Sequence, residues 1–186
     1  TFPEDAEAVL VTAHSARDPD LAKKLLALLK RGGTAIATAG LVESLGGEAE
    51  VLKLFGYRES PLARLEEWTF RFEVGEREVT GPAFVRLRAA LSPYWARTLA
   101  SAITEAGEFP ILTENDIPTG GKALVICADT MRYAEDSTRV TVGEPVSLIN
   151  LPDAAVQKLR EAALAPLGIS LDGPATTGLY LYSGGL

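Results

Sequence analysis

The run Ala8-Val9-Leu10-Val11-Thr12-Ala13 is apolar without alternation, which marks a strand covered on both faces. Asp18-Pro19 follows as an N-cap with Pro at the first helical position. Leu21, Leu25, Leu28 and Leu29 recur at helical spacing, while Lys23, Lys24, Lys30 and Arg31 stand off that stripe. The spacing predicts a helix over Pro19 to Arg31, with its basic end at the negative pole of the helix dipole and Gly32-Gly33 ending it. Thr34 to Thr38 is a second strand, and Gly40 opens a short helix, Leu41 to Leu45. This β-α-β-α order implies a parallel sheet with right-handed crossovers.

The period then changes. Trp68, Phe70, Phe72 and Val74 alternate with Thr69, Arg71 and Glu73, a half-exposed strand, and Gly75-Glu76 reads as the turn into Arg77 to Thr80. Val85, Leu87 and Ala89 alternate with Arg86 and Arg88 in the same way. These segments predict an antiparallel insertion or sheet extension. A long hairpin follows: Ala100 to Glu105 is one arm, and Pro110 to Thr113 continues it beyond Gly107. Asn115 to Gly121 is dense in turn residues, and Lys122 to Ala128 is the most strand-like run of the chain. Asn150 to Pro152 starts a helix with Val156, Leu159, Ala163 and Leu167 on one face, ended by Pro166 and Gly168.

Composition supports a folded chain of one domain. The 186 residues are 47% apolar and 23% charged, enough for a full core. The net charge of −7 and the lack of a basic cluster argue against nucleic acid and anionic membranes as partners. No apolar run approaches the ~20 residues that a membrane helix requires. The single cysteine, Cys127, cannot form an internal disulfide, and the single histidine, His14, excludes a site built from several histidines. Neither a metal nor a cofactor is implied. The start at Thr1-Phe2-Pro3 and the strand-like end, Leu179 to Tyr182, read as ends cut from something longer, so that cellular location is not legible.

The passage Lys30-Arg31-Gly32-Gly33-Thr34-Ala35-Ile36-Ala37-Thr38-Ala39-Gly40 resembles the helix, Gly-Gly, strand, T-x-G passage of class I glutamine amidotransferase-like domains. It is most similar to the subset without amidotransferase chemistry, such as β-galactosidase trimerisation domains and uncharacterised bacterial domains beside glycoside hydrolases. Pro110-Ile111-Leu112-Thr113, the Gly120-Gly121-Lys122 turn and Ala123-Leu124-Val125-Ile126 resemble the hairpin of that group. Leu151-Pro152-Asp153 to Asp172-Gly173-Pro174 resembles its closing helix. The resemblance implies an α/β fold of the three-layer, flavodoxin-like kind: a mostly parallel sheet with an antiparallel hairpin extension. It also implies a preceding strand and helix, a carbohydrate-associated context and a lean toward a secreted or envelope location.

Chemistry is sparse. Val125-Ile126-Cys127-Ala128-Asp129 superficially resembles a nucleophile elbow, but Asp129 stands where the strained turn needs glycine. By the family's segment order the elbow falls at Ala39-Gly40, where no cysteine stands. Cys127 therefore reads as a buried strand cysteine. His14, Ser15 and Asp18 follow the first strand on the side where open parallel sheets bind ligands, but neighbours in one loop cannot align as a triad. That loop reads as a capped entry to a helix, with a ligand contact through His14, Ser15 and Arg17 as the alternative. Thr38 and Gly40 form the next such loop, where helix-start N–H groups could hold an anion or a sugar hydroxyl. Asp129, Glu135, Asp136 and Asp153 match no Ca²⁺ loop and read as solvated acids. Gly120-Gly121-Lys122 lacks the phosphate-loop spacing and reads as a hairpin turn. Trp68, Phe70 and Phe72 read as core or interface, with sugar stacking as the alternative.

The leading expectation is a non-catalytic accessory domain, for assembly or ligand binding, within a larger, carbohydrate-active bacterial protein. Its partners would be other domains of the same polypeptide or further copies, with a carbohydrate or small molecule as ligand. The rivals are an amidotransferase- or hydrolase-type enzyme using Cys127 or His14, and a small-molecule sensor built on His14, Arg17, Thr38 and Asp129.

Overall fold

A computed structural model describes residues 5–45, 49–57, 62–66, 70–74, 77–81, 86–90, 94–104, 107–127, 153–174 and 177, with backbone alone for the strands within 62–90. Strand β1, Ala8–Val11, leads through a 3-10 helix, Ala13–Arg17, into helix α1, Leu21–Lys30. Strand β2, Thr34–Thr38, runs directly into α2, Ala39–Ser44, and α3 covers Ala49–Leu54. Strands β3 (Leu62–Glu66), β4 (Phe70–Val74), β5 (Arg77–Gly81) and β6 (Arg86–Ala90) follow. Strands β7 (Arg97–Thr104), β8 (Gly107–Asp116) and β9 (Lys122–Ile126) precede α4, Asp153–Leu164.

Seven strands share one sheet in the order β1-β2-β9-β8-β7-β4-β5, and β3 pairs with β6 separately. β1 and β2 are parallel, with Ala8 beside Thr34 and Val11 beside Ala37, and α1 is the crossover between them, as expected. β2 and β9 are also parallel, from Thr34 beside Lys122 to Thr38 beside Ile126. The β9–β8, β8–β7, β7–β4 and β4–β5 pairs are all antiparallel. The expectation of a mostly parallel sheet is thus corrected to a mixed sheet with parallel strands at one edge. The physical reason is connectivity: two residues of chain separate β4 from β5 and β7 from β8, five separate β8 from β9, and only antiparallel neighbours can be joined over so few.

Alternation of side chains across the sheet builds two cores. On one face Val9, Val11, Ala35, Ala37, Ala123 and Val125 meet the apolar sides of α1, α2 and α3. Leu25, Leu28 and Leu29 of α1 are fully buried there, each contributing about 1.5–3 kcal/mol of transfer free energy. On the other face Leu124, Ile126, Ala100 and Ala102 meet Ala155 and Val156 of α4. Alanines on β2 and β9 bring helix and sheet close together. Gly121 goes further, because a Cβ there would collide with the backbone of Leu29 at the end of α1. Thr119 Oγ1 donates to the Leu29 carbonyl at 2.9 Å and Lys122 N–H to the Gly33 carbonyl at 3.1 Å, so the turn before β9 is fastened to the end of α1.

Four expected details differ. β1 is not covered on both faces: it is the edge strand of the sheet, and Leu10 at its centre is 61% exposed while Val9 and Val11 face the helices. Asp18 is not the N-cap of α1; its carboxylate accepts the Asp20 N–H at 3.0 Å, and the helix begins two residues later than the Asp-Pro signal placed it. The second helix starts at Ala39, before Gly40. Leu167 is not on the buried face of α4, because the chain tightens into a 3-10 turn at Ala165–Leu167 that leaves it 43% exposed. Trp68, the 75–76 turn and Leu179 to Tyr182 lie outside the described residues.

Candidate functional site

The carboxyl ends of β1 and β2 bring most of the sequence-derived candidates together. The 3-10 helix Ala13–Arg17 packs on α2, and a Cβ on Gly40 would make ordinary contact with the Ala13 Cβ at 3.7 Å. His14 and Arg17 are exposed there, while Ser15, Thr38 and Gly40 are half-buried. Asp129 lies outside the described residues, as do Glu135 and Asp136.

Several of these groups have local structural duties. Ser15 Oγ accepts the Thr12 N–H at 3.3 Å, and the Ser15 N–H donates to the Thr12 carbonyl at 2.8 Å. Those bonds satisfy donors at the start of the 3-10 helix. Asp18 Oδ2 receives the Lys24 ammonium at 2.6 Å. That bond, with the one from the Asp20 N–H, holds the Asp18 carboxyl below its usual range. Among the described residues of the loop after β1, His14 and Arg17 are exposed side-chain donors.

Cys127 follows β9 on the same end but faces inward. It is 1% exposed, and its Sγ lies 3.9 Å from the Tyr57 hydroxyl and 4.0 Å from the Val125 carbonyl. Tyr57 is itself 1% exposed and shares a 2.8 Å hydrogen bond with Thr113 Oγ1. Burial, reinforced by the neighbouring Cys127, pushes the Tyr57 phenol well above its ordinary range, while the bond to Thr113 pulls the other way. A thiol sealed from water is poorly placed to attack a substrate.

Two features escaped sequence reasoning, and both lie at the opposite end of the parallel strands. The first is a charge cluster across β7, β8 and β9. Glu114, 5% exposed at its side chain, receives Arg97 at 2.6 Å and Lys122 at 3.1 Å, and Asp116 stands 3.7 Å from Lys122. Desolvation raises the Glu114 carboxyl, but the bonds from Arg97 and Lys122 outweigh it and hold the group below its usual range. The register makes the cluster: Arg97 stands opposite Glu114 and Lys122 opposite Asp116. The second is Tyr94-Trp95, whose rings meet edge to face at 4.6 Å and 84°. Each is 56% exposed, and both backbone N–H groups donate to the Gly56 carbonyl. Pro93 before an aromatic pair was the available signal; the charge cluster had none, because it depends on the register of three strands.

Among the described residues no group of three or more His, Cys, Asp or Glu is placed to hold a metal ion. No helix among them is long and apolar enough to cross a membrane.

No family model matches the sequence. No curated protein matches it either. Solved structures do share the fold. A β-galactosidase from Bacillus circulans sp. alkalophilus is similar over 88% of this chain, with a TM-score of 0.59 and 15% identity. A cold-adapted β-galactosidase from Rahnella sp. R3 is similar over 69% of the chain, with a TM-score of 0.53 and 16% identity. A GH42 β-galactosidase from G. stearothermophilus is similar over 69%, with a TM-score of 0.51 and 15% identity. This chain corresponds to 23%, 21% and 20% of those three chains respectively, so the likeness is to one part of each enzyme. At these identities what is shared is the fold: a mixed α/β sheet that occurs within β-galactosidases.

Proposed function

We propose that this chain is a non-catalytic accessory domain, serving assembly or ligand binding, of a larger carbohydrate-active protein. The observation that carries the reading is the fold match that takes in 88% of this chain but 23% of a β-galactosidase. A fold used as a minor part of a large enzyme is suited to holding other parts in place. Helices on both sheet faces and parallel strands at one edge support kinship with the amidotransferase-like, flavodoxin-like group. The burial of Cys127 disfavours the enzyme alternative that would use it.

Two experiments test this. Immunoprecipitation from the source cells, followed by mass spectrometry, should recover these residues in a polypeptide larger than 19.8 kDa that carries a carbohydrate-active catalytic domain. The isolated chain should hydrolyse neither a chromogenic β-galactoside nor glutamine. Recovery of the chain alone, or turnover of either compound by it, would overturn the reading. The exposed His14 and Arg17 beside Thr38 and Gly40 favour a second reading, a small-molecule site at the strand carboxyl ends. A chemical-shift perturbation screen should then move resonances of 13–17 and 38–40 together.

A further inference from the structure

We propose that β1 pairs with the β1 of a second copy of this chain, antiparallel and about a two-fold axis at Val9, so that two sheets join into one; this rests on the assembly reading above and gives it a surface.

Strand β1 is one edge of the seven-stranded sheet. Within a strand, the N–H and C=O of one residue point to the same side, and successive residues alternate. The Thr34 N–H donates to the Glu7 carbonyl at 2.8 Å, and β1 keeps a regular parallel register with β2. Glu7, Val9 and Val11 therefore turn their backbone groups to β2, while Ala6, Ala8, Leu10 and Thr12 turn theirs outward. The two ends of this outward row are engaged. The Ala6 carbonyl accepts Arg31 Nη2 at 3.4 Å. Thr12 donates its N–H to Ser15 Oγ at 3.3 Å and accepts the Ser15 N–H at 2.8 Å. Between them, Ala8 and Leu10 offer two donors and two acceptors, and no strand among the described residues meets them.

These four groups define their occupant. An antiparallel copy that sets Ala8 opposite Leu10 of the other chain satisfies all four, because the two residues are symmetric about Val9. Moving the axis one residue along would set Ala8 against the closed Thr12, or Leu10 against the engaged Ala6. Side chains fit the same register. Val9 and Val11 belong to the helix-side core, so Ala8 and Leu10 point to the α4 side. There Leu124, Ile36 and Leu10 stand in register across β9, β2 and β1, and the row ends on Leu10, 61% exposed. Pairing sets Leu10 against the small Ala8 of the other copy and brings the two Leu10 side chains into diagonal reach across the axis, so the row continues.

The edge also lacks the devices that keep monomers apart. Ala8–Val11 contains no charge, proline or bulge, whereas β5 at the other edge carries Arg77 and Glu78. Charge sits at the two ends of β1 and matches head to tail. Asp5 and Glu7 are exposed before its centre, and His14 and Arg17 are exposed after it. The register places Asp5 opposite Ala13 of the other copy, at the start of the 3-10 helix that carries His14 and Arg17. At physiological salt a Debye length of about 8 Å screens the repulsion between two chains of net charge −7 and leaves these near contacts. One pair of four-residue strands with its leucines falls below the ~800 Å² per partner of a stable interface. The isolated chain should therefore associate weakly, with a Kd on the order of 100 μM, and tightly where a larger polypeptide holds two copies together.

Sedimentation velocity and amide hydrogen exchange on the 186-residue chain, from about 10 μM to about 1 mM, test the pairing. The mass should rise from 19.8 kDa toward twice that value. The Ala8 and Leu10 amides, fast to exchange in dilute solution, should become protected as it rises. Leu10→Lys puts a charge on an exposed position, and Ala8→Pro removes an N–H that this chain's own sheet does not use. Each should weaken association by ~10-fold or more, with melting in dilute solution unchanged. Arg17→Glu and Asp5→Lys should each weaken it by ~3-fold, and mixing the two variants should restore it. A mass of 19.8 kDa throughout, Ala8 and Leu10 amides that exchange alike at both ends of the range, or a Leu10→Lys variant that associates like the wild type overturns the proposal. A monomer, together with an immunoprecipitate that carries a catalytic domain, fails the pairing and leaves the accessory-domain reading. A dimer of a chain that is immunoprecipitated alone keeps the pairing and fails that reading.

Discussion

Thr113 and Glu114 are neighbours on β8, both buried, and they face opposite sides of the sheet. Thr113 meets the Tyr57 hydroxyl inside the α1–α3 core, a neutral pair sealed from water. Glu114 meets Arg97 and Lys122 toward the α4 side, a buried carboxylate whose cations remain 65% and 44% exposed. A sheet can thus bury polar groups in two ways. A neutral pair needs only a matched donor and acceptor and tolerates full burial. A charge needs opposite charges, and here those keep one side in water, which lowers the desolvation cost.

The largest effect should come from removing the anchor of the neutral side. Tyr57→Ala empties a fully buried aromatic site and should cost ~3–5 kcal/mol in a denaturant titration. It should also open Cys127, which in the native wild type should react only slowly with a thiol reagent at neutral pH. Rapid stoichiometric labelling of the wild type would show that the thiol is not sealed. The combined Arg97→Ala and Lys122→Ala variant strands the Glu114 carboxylate without either cation. About 2–3 kcal/mol should be lost, less than for a fully buried pair because water already screens both cations. Equal stability of the double variant and the wild type would mean that the cluster is ornamental.

Smaller changes sharpen the contrast. Tyr57→Phe removes one hydroxyl and leaves Thr113 Oγ1 unmatched, at a cost of ~1–2 kcal/mol. Adding Thr113→Val should recover most of that loss, since removing both partners of a neutral bond is close to neutral. Adding Glu114→Gln to the Arg97→Ala and Lys122→Ala variant should likewise recover part of its loss, since it removes the stranded carboxylate.

The two sides should also respond at opposite ends of the pH scale. Glu114 has a folded pKa below its ordinary 4.5, so its contribution is present above that value and is lost as pH falls through the folded pKa. Tyr57 has a folded pKa above its ordinary 10.0, so its contribution is present below that value and is lost as pH rises beyond it. Melting temperature against pH should show Glu114→Gln flattening the acid limb and Tyr57→Phe flattening the alkaline limb. A crossed or absent effect would undo the assignment.

Much of the fold was legible because burial writes itself into apolar runs. β2 and β9 are short, continuous and apolar, and the leucine stripe of α1 is unmistakable; β1 was found by the same signal, but its place at the sheet edge leaves Leu10 exposed, which an apolar run does not foretell. α3 was missed although α2, of the same six residues, was found: Gly40 and Gly46-Gly47 mark α2 in the sequence, and neither helix is long enough to show a period. The helix signal at Asp18-Pro19 was real chemistry put to another use, since Asp18 caps a turn rather than the helix. The proportion of parallel strands was not legible, because it depends on β9 entering beside β2 from far along the chain. The same holds for the candidate sites. His14, Thr38 and Gly40 were found because the ends of parallel strands are marked in sequence. Glu114 and Tyr94-Trp95 were missed because one needs a register and the other a mount at Gly56.

The insertion of β9 between β2 and β8 has a consequence for the life of the chain on the ribosome. Thr119 fastens to Leu29 across 90 residues, and β2 meets β9 across a similar span. Until that later segment emerges, β1, α1 and β2 lack one flank of their sheet, and the underside of α1 has no β9 alanine and valine to rest on. At ~5–20 residues per second, that wait is on the order of ten seconds. The first third of the chain is therefore synthesised as an open-edged sheet whose apolar helix is only partly covered. It is the stretch on which a holdase chaperone would act, and the stretch where slowed translation would expose the nascent chain longest to aggregation.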